Sequence, residues 1–186
     1  MNSTSVAKLI SYIFEPMIVI YVLAFFGGSY GGLTGSLWSI YIASLTLFVG
    51  LATLVRLYFT RKDKTNWDVS VKKNRFVPLL VLTLFFGIQY FVIRNFDSNI
   101  LTSLFLLLFI WNIGFFLITL KIKLSGHLSI LTLAVCQFIW WYGNSVFWLV
   151  LLIPLLSWSR VLLKRHTIRE VIVGICYSVI VFLWLN

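Results

Sequence analysis

The sequence has very little charge. Only 11% of its 186 residues are charged, whereas 61% are hydrophobic. A soluble domain of this size needs more polar surface to cover its core, so the composition excludes a soluble fold and predicts a protein that lies in lipid. The net charge of +10 does not indicate a nucleic-acid partner, because the cations lie in short segments between apolar runs. That placement suits lipid headgroups, orientation signals or a phosphorylated substrate.

Residues that bind metal ions are also scarce. The chain has 5 Asp and Glu, 2 His and 2 Cys. The acids are not grouped, as Mg²⁺ bound with a diphosphate requires, and the His and Cys residues are too few for a zinc site. Cys136 and Cys176 lie in apolar runs and are interpreted as small buried hydrophobes. The sequence therefore predicts neither a metal nor another cofactor, and no pattern indicates an oligomeric state.

The chain is dominated by seven apolar runs. A membrane-spanning helix needs roughly 20 apolar residues. The predicted spans cover residues 6–26, 37–59, 78–93, 100–120, 128–142, 146–163 and 167–185. No linker is long enough to divide them, and no charged n-region or cleavage site indicates a signal peptide. We predict one integral membrane domain, residues 1–186, with an all-α, polytopic transmembrane helix bundle of six to seven spans.

The basic loops gather on one side of the predicted bundle. With seven spans, both histidines and every Lys and Arg except Arg94 fall at one membrane face. The positive-inside rule makes that face cytoplasmic, in the cell (inner) membrane. We expect the active site at this face.

Arg160 interrupts the end of the sixth apolar run, after residues 146–158 without a charge. A guanidinium at that depth is costly unless it is paired or lines a polar cavity. The alternative is that it snorkels to the interface, as Lys164 and Arg165 are expected to do.

His166 and Glu170 are four residues apart at the start of the last helix, so we expect them to share a face. A carboxylate bonded to one imidazole nitrogen fixes the tautomer and makes the other nitrogen more basic, which is how a histidine becomes nucleophilic. The alternative is an interfacial pair that only supports the helix start.

Ser125-Gly126-His127 opens the fifth predicted helix. Backbone N–H groups at a helix N-terminus bind anions, and glycine permits close approach. His127 would then lie beside a bound oxyanion as a potential proton donor. Because phosphate charge would be met by Arg and Lys, these segments suggest metal-independent phosphoryl chemistry on a membrane-bound substrate.

Two of these segments resemble signatures of the type 2 phosphatidic acid phosphatase superfamily. Ser159-Arg160-x5-His166-x3-Glu170 resembles the third signature, S-R-x5-H-x3-D. Ser125-Gly126-His127 resembles the second, P-S-G-H, with Leu124 in place of Pro. Their order and spacing agree with that family.

The first signature, K-x6-R-P, is degenerate. Arg75 matches its Arg, but Asp68 occupies the Lys position and Pro78 lies two residues late. Lys72 or Lys73 would have to supply the missing cation. The resemblance covers a catalytic core of about residues 68–186.

The resemblance implies roles for particular residues. His166 attacks phosphorus and forms a phosphohistidine, Glu170 orients it, and His127 protonates the leaving oxygen. The phosphoryl oxygens are held by Arg160, Arg75, Ser125, Gly126 and Lys72. Family substrates are lipid phosphates, namely phosphatidate, phosphatidylglycerophosphate and polyprenyl phosphates or diphosphates, and the reaction needs no metal.

Two alternatives from other classes stay open. Asp68 at the Lys position favours a non-catalytic membrane protein that binds lipid phosphates through a decayed site. Polar residues inside spans, Glu15, Gln89 and Asn112, suggest a small transporter.

Overall fold

The structure is a computed structural model that describes residues 2–62, 72–96 and 98–186. These residues form helices and turns without a strand, so the all-α prediction is confirmed. The α-helices are α1 (Ser3–Ile13), α2 (Pro16–Tyr30), α3 (Gly35–Lys62), α4 (Lys72–Ile93), α5 (Asn99–Lys121), α6 (Gly126–Tyr142), α7 (Leu152–Leu162) and α8 (Ile168–Leu185), with a 3₁₀ helix at Gly143–Leu151.

Most of these helices suit a bilayer. Within the described residues, five helical stretches are long and apolar enough to cross a membrane, or up to six if α1 and α2 form one bent span. Large apolar side chains face outward, with Leu151 69% exposed and Trp184 73% exposed. Such exposure is unfavourable in water but not in hydrocarbon. The polytopic helix bundle is therefore confirmed.

The first predicted span, residues 6–26, is broken. Helices α1 and α2 meet at an angle of 44°. Pro16 begins α2, and the Glu15 carboxylate accepts a hydrogen bond of 2.7 Å from the Met17 N–H. Proline at a first helical position loses no hydrogen bond, and a carboxylate there satisfies an amide that lacks an intrahelical partner. Glu15 therefore caps α2.

The stretch Gly126–Leu162 is helical throughout but reverses direction at Gly143. In a straight helix Leu131 and Leu156 would lie about 37 Å apart, whereas both belong to one buried cluster. Gly143 adopts a φ of 66°, which glycine tolerates because it has no Cβ. Helix α6 and the arm formed by the 3₁₀ helix and α7 are therefore antiparallel, as the separate predicted spans 128–142 and 146–163 require.

Helix α4 begins earlier than predicted. We expected Pro78 to open the third span, after a loop of residues 60–76, but Pro78 lies inside α4, which begins at Lys72. The N–H that Pro78 lacks would bond only the carbonyl of Asn74, in the first turn. Loss of one hydrogen bond near a polar helix end is tolerated, so the prediction placed the start of the helix too late.

The chain divides into two compact units. In the first, residues 1–23 and 122–186, helices α1, α6, α7 and α8 pack around a buried apolar cluster. The cluster consists of Ile10, Leu128, Leu131, Val135, Leu156 and Val171. Every residue of the second and third resembling signatures lies in this unit.

The second unit, residues 24–121, contains α3, α4 and α5. Asn112 of α5 donates hydrogen bonds to the Leu79 carbonyl (3.1 Å) and to the Thr83 hydroxyl (2.6 Å), both on α4. Asn112 therefore joins two helices, the usual role of a lone polar residue in a membrane span. The single domain of residues 1–186 stays a prediction.

Candidate active site

The candidate site lies at one end of the first unit, where α7 ends and both α6 and α8 begin. Two backbone hydrogen bonds of 3.4 Å join its segments. Ser125 N–H donates to the Glu170 carbonyl, and His166 N–H donates to the Arg160 carbonyl. The fold thus brings together the two segments that carry the resemblance.

The end of α7 determines where His166 lies. Lys164 N–H donates to the Val161 carbonyl (2.9 Å) and Arg165 N–H to the Arg160 carbonyl (3.1 Å). This pair of bonds is a Schellman motif with Lys164 at the left-handed position, φ 53°. A non-glycine residue there is strained by about 1–2 kcal/mol. The motif reverses the chain tightly, so that His166 follows within two residues.

His166 and Glu170 are in contact. The imidazole Nδ1 lies 2.8 Å from Glu170 Oε2, and His166 is 8% exposed. The expected geometry was wrong in one respect, since α8 begins at Ile168 and His166 precedes the helix. The contact depends on the turn before α8 rather than on a shared helix face.

A capping box orders this turn. The Thr167 hydroxyl accepts a hydrogen bond from Glu170 N–H (3.3 Å), and Glu170 Oε2 accepts one from Thr167 N–H (3.2 Å). Our sequence reasoning did not include Thr167. The signal was present, because Thr-x-x-Glu at the start of an apolar run is typical of a capping box.

Lys123 is a second residue that sequence reasoning missed. Its ammonium donates to the Arg165 carbonyl (2.9 Å) and lies 3.7 Å from Glu170 Oε2. The Glu170 carboxylate therefore faces an ammonium, an imidazole and a backbone amide. No sequence signal links Lys123 to Glu170, because Lys123 lies in the link between α5 and α6 and Glu170 lies in α8.

Ser125 and Gly126 open α6 as predicted, with Ser125 as the N-cap and His127 in the first turn. Ser125 and His127 are buried, and the Ser125 hydroxyl has no hydrogen-bond partner among the described residues. Gly174 of α8 permits the close approach to α6, since a Cβ there would lie 2.8 Å from Ser129 Oγ and 3.2 Å from the Ser125 carbonyl oxygen. The Ser125 N–H already donates to Glu170, so the anion-binding amides expected here are those that follow it.

Arg160 is buried, at 3% exposure, and does not snorkel. Its Nη1 donates to the Ser11 hydroxyl of α1 (2.6 Å), while the neighbouring Ser159 hydroxyl donates to the Ala7 carbonyl (2.6 Å). Arg160 is thus paired, as a guanidinium at that depth requires. The pairing with Ser11, far away in the sequence, was not predicted.

A cleft of about 270 Å³ opens beside His166. Glu170, Thr167 and Val161 also line it, together with three cations, Lys123, Lys164 and Arg165. Three cations against one carboxylate favour an anionic ligand. The cations of the cleft were not among the predicted phosphate ligands.

The charged side chains of the degenerate first signature lie outside the described residues. Lys72 and Arg75 fall in the first turn of α4, in the second unit, and their side chains are outside the described residues, as is Asp68. Among the described residues, no three His, Cys, Asp or Glu side chains are grouped so that they could hold a metal ion.

Comparison with known proteins found no family model, no curated protein and no solved structure that matches this chain.

Proposed function

We propose that this chain is a membrane phosphatase that hydrolyses a lipid phosphate through a phosphohistidine at His166, without a metal ion. The observation that carries the proposal is the 2.8 Å contact of His166 Nδ1 with Glu170 Oε2, beside a cleft with three cations. The resemblance to the type 2 phosphatidic acid phosphatases supplies the reaction type.

The contact with Glu170 defines the nucleophilic atom. An ionised carboxylate only accepts hydrogen bonds, so Nδ1 carries the proton and Nε2 keeps its lone pair. Thr167 N–H donates to the same carboxylate oxygen and holds it in place, 3.2 Å away. His166 is therefore oriented with Nε2 as the basic, nucleophilic nitrogen.

The proposed reaction has two steps, formation and hydrolysis of the phosphohistidine. Nε2 of His166 forms a bond to phosphorus as the bond from phosphorus to the lipid oxygen breaks, and His127 gives that oxygen a proton. A water molecule then attacks the phosphohistidine, gives a proton to His127, and releases inorganic phosphate and His166. Developing charge on the phosphoryl oxygens is stabilised by nearby cations and by amides at the start of α6.

Two groups of cations support phosphate binding. The resemblance implies Arg160, Arg75 and Lys72, together with Ser125 and Gly126. The cleft adds Lys123, Lys164 and Arg165. The cleft cations compensate for Asp68 at the position of the lost Lys. The substrates are phosphatidate, phosphatidylglycerophosphate or a polyprenyl phosphate, and the site faces the cytoplasm at the cell (inner) membrane.

The proposal is tested by phosphate release from phosphatidate in detergent, with EDTA present. We expect the wild type to release phosphate and His166→Ala to release none. A covalent phosphate that is labile in acid and absent from His166→Ala should be trapped by rapid quenching. Release that survives in His166→Ala would contradict the mechanism.

A matched pair of variants tests the cleft. Lys123→Ala removes a cation beside Glu170, whereas Arg94→Ala removes an exposed cation in the second unit. We expect KM for phosphatidate to rise about tenfold in Lys123→Ala, the equivalent of one lost charge-assisted hydrogen bond, and to stay unchanged in Arg94→Ala. Equal effects would mean that only net charge matters.

A second candidate is a membrane protein that binds lipid phosphates without hydrolysing them. The observation in its favour is that Arg160, the arginine of the third signature, bonds Ser11 of α1. This candidate predicts saturable phosphatidate binding with neither phosphate release nor a trapped phosphohistidine. The quench experiment distinguishes the two.

A further inference from the structure

An apolar groove of about 450 Å³ runs between α7 and α8. From α7 it is lined by residues at helical spacing, including Ile153, Ser157 and Val161; from α8 it is lined by Ile168, Ile172 and Ile175, among others. Ser157 adds no polarity, because its hydroxyl donates to the Ile153 carbonyl at 2.7 Å. The groove therefore offers only apolar contact to a ligand.

The groove adjoins the polar cleft, because Val161 lines both. Because α7 and α8 are the two arms of a helical hairpin, the cleft lies at its connecting turn and the groove leads away from that turn. From Val161 to Ile153 the groove extends about 12 Å along α7.

We propose that the groove holds a hydrocarbon chain of the lipid whose phosphate occupies the cleft. The location of the phosphate rests on the proposed function. The cleft has cations for an anionic headgroup, and the groove has an apolar lining that begins at the same residue. A lipid phosphate is a ligand with these two parts in this order. Its head lies at the membrane interface and its chain extends along the helices.

The groove would make the site selective for lipid phosphates over water-soluble phosphate esters. A soluble monoester can engage the cleft cations but leaves the groove unused. A lipid with an apolar chain gains contact along both helices, and that contact fixes its phosphate beside His166. Specificity for a lipid therefore depends on residues whose identity the resembling signatures do not specify.

Photocrosslinking tests the groove independently of hydrolysis. The probe is a phosphonate analogue of phosphatidate with a diazirine in its chain, bound to the full chain in phosphatidylcholine nanodiscs. We expect adducts on groove residues such as Ile153 and Ile172. Excess phosphatidate should remove them, and excess phosphatidylcholine should not.

Two variants on α7 form a matched pair. Ser157→Trp fills the groove, whereas Leu155→Trp places the same side chain at a half-exposed position outside it. We expect labelling by the probe to fall about tenfold in Ser157→Trp, because the indole occupies the space that the hydrocarbon chain needs. Labelling should be unchanged in Leu155→Trp. Ile172→Phe fills the groove from α8 and should repeat the loss if Ser157→Trp fails to fold.

The outcomes separate this inference from the proposed function. Adducts in the groove without phosphate release would support the groove and reject the phosphatase. Phosphate release with an unchanged KM for phosphatidate in Ser157→Trp and Ile172→Phe, and adducts on other helix faces, would overturn the groove alone. Adducts removed equally by phosphatidylcholine would also overturn it, because the groove would then be a general lipid contact.

Discussion

At the scale of single residues, Glu170 has two tasks. Its Oε2 accepts hydrogen bonds from the helix-capping amide of Thr167 and from His166 Nδ1, and it faces Lys123. Capping α8 and orienting the imidazole therefore depend on one oxygen atom. Glutamate at the third helical position has the reach that a capping box needs, which gives a physical reason for Glu where the resembling signature has Asp.

The two tasks can be separated by substitution. Thr167→Ala removes the cap hydroxyl and should lower the free energy of unfolding by about 1 kcal/mol. Glu170→Gln can still accept a hydrogen bond from Thr167 N–H, so its free energy of unfolding should stay near that of the wild type. It loses the negative charge that orients His166. We expect phosphate release to fall about 10²-fold or more in Glu170→Gln and far less in Thr167→Ala. Equal losses of release in both variants would mean that Glu170 acts only through the fold.

Ser11 is the second residue with a testable role. It accepts a hydrogen bond of 2.6 Å from buried Arg160. Ser11→Ala should lower the free energy of unfolding by about 2 kcal/mol, because a buried charged donor loses one of its hydrogen bonds. The control is Ser39→Ala, an exposed serine that bonds its own helix at Gly35, which should change stability by less than about 0.5 kcal/mol. Denaturation in detergent measures both, and equal values would exclude a role for Ser11.

At the scale of elements, small residues join α6 to α8. Ser129 donates to the Gly174 carbonyl (3.1 Å), and Ser178 donates to the Ser129 carbonyl (2.7 Å). Serine and glycine let two helices approach closely, and their hydroxyls bond across the contact. The two helices run parallel. Ser125 N–H donates to the Glu170 carbonyl at one end, and the ring centroids of Trp140 and Phe182 lie 6.4 Å apart at the other.

Gly174→Ala should disturb this contact. The added Cβ would lie 2.8 Å from Ser129 Oγ and 3.2 Å from the Ser125 carbonyl oxygen. We expect the free energy of unfolding to fall by about 2 kcal/mol, and phosphate release to fall with it. Gly50→Ala is the control, since nothing lies within 4 Å of its Cβ, and it should stabilise α3 by up to about 1 kcal/mol.

The same interface offers a rescue. Combining Gly174→Ala with Ser129→Ala removes the nearest clashing atom, so part of the lost stability should return. A double variant as unstable as the sum of the two single variants would show that the Ser129 hydroxyl is not the obstacle.

At the scale of the whole molecule, the first unit has a basic end and an aromatic end. Lys123, Lys164 and Arg165 lie at the candidate site. Exposed Trp140, Trp148 and Trp184 lie toward the opposite end, near the turn at Gly143 and the C-terminus. Tryptophan favours the interface of a bilayer and basic residues favour its cytoplasmic side. The two ends therefore suit the two surfaces of one membrane.

Cysteine labelling tests this orientation. In a chain with Cys136 and Cys176 replaced by Ala, we expect Arg169→Cys to react only when a membrane-impermeant maleimide reaches the cytoplasmic side. Asn144→Cys, at the opposite end, should react only from the other side. The reversed pattern would contradict the positive-inside prediction.

Much of the fold could be predicted because its signals are local. Hydropathy predicted the helices, and the break between the fifth and sixth apolar runs predicted the turn at Gly143. The prediction of a helix start at Pro78 was wrong, because a helix tolerates proline close to its N-terminus. The His166–Glu170 contact could be predicted from spacing, whereas the capping box that holds it was present as Thr-x-x-Glu and was missed.

Composition and local spacing were sufficient for an all-α membrane bundle and for the pairing of His166 with Glu170, because both depend on neighbours a few residues apart. The contacts of Arg160 with Ser11, of Lys123 with Glu170, and of α7 with α8 along an apolar groove required the fold. The first two contacts join residues that are distant in the chain, and the third depends on how the turn after α7 directs α8. A single sequence carries no periodic signal for such contacts. Packing of the helices alone brings those residues together.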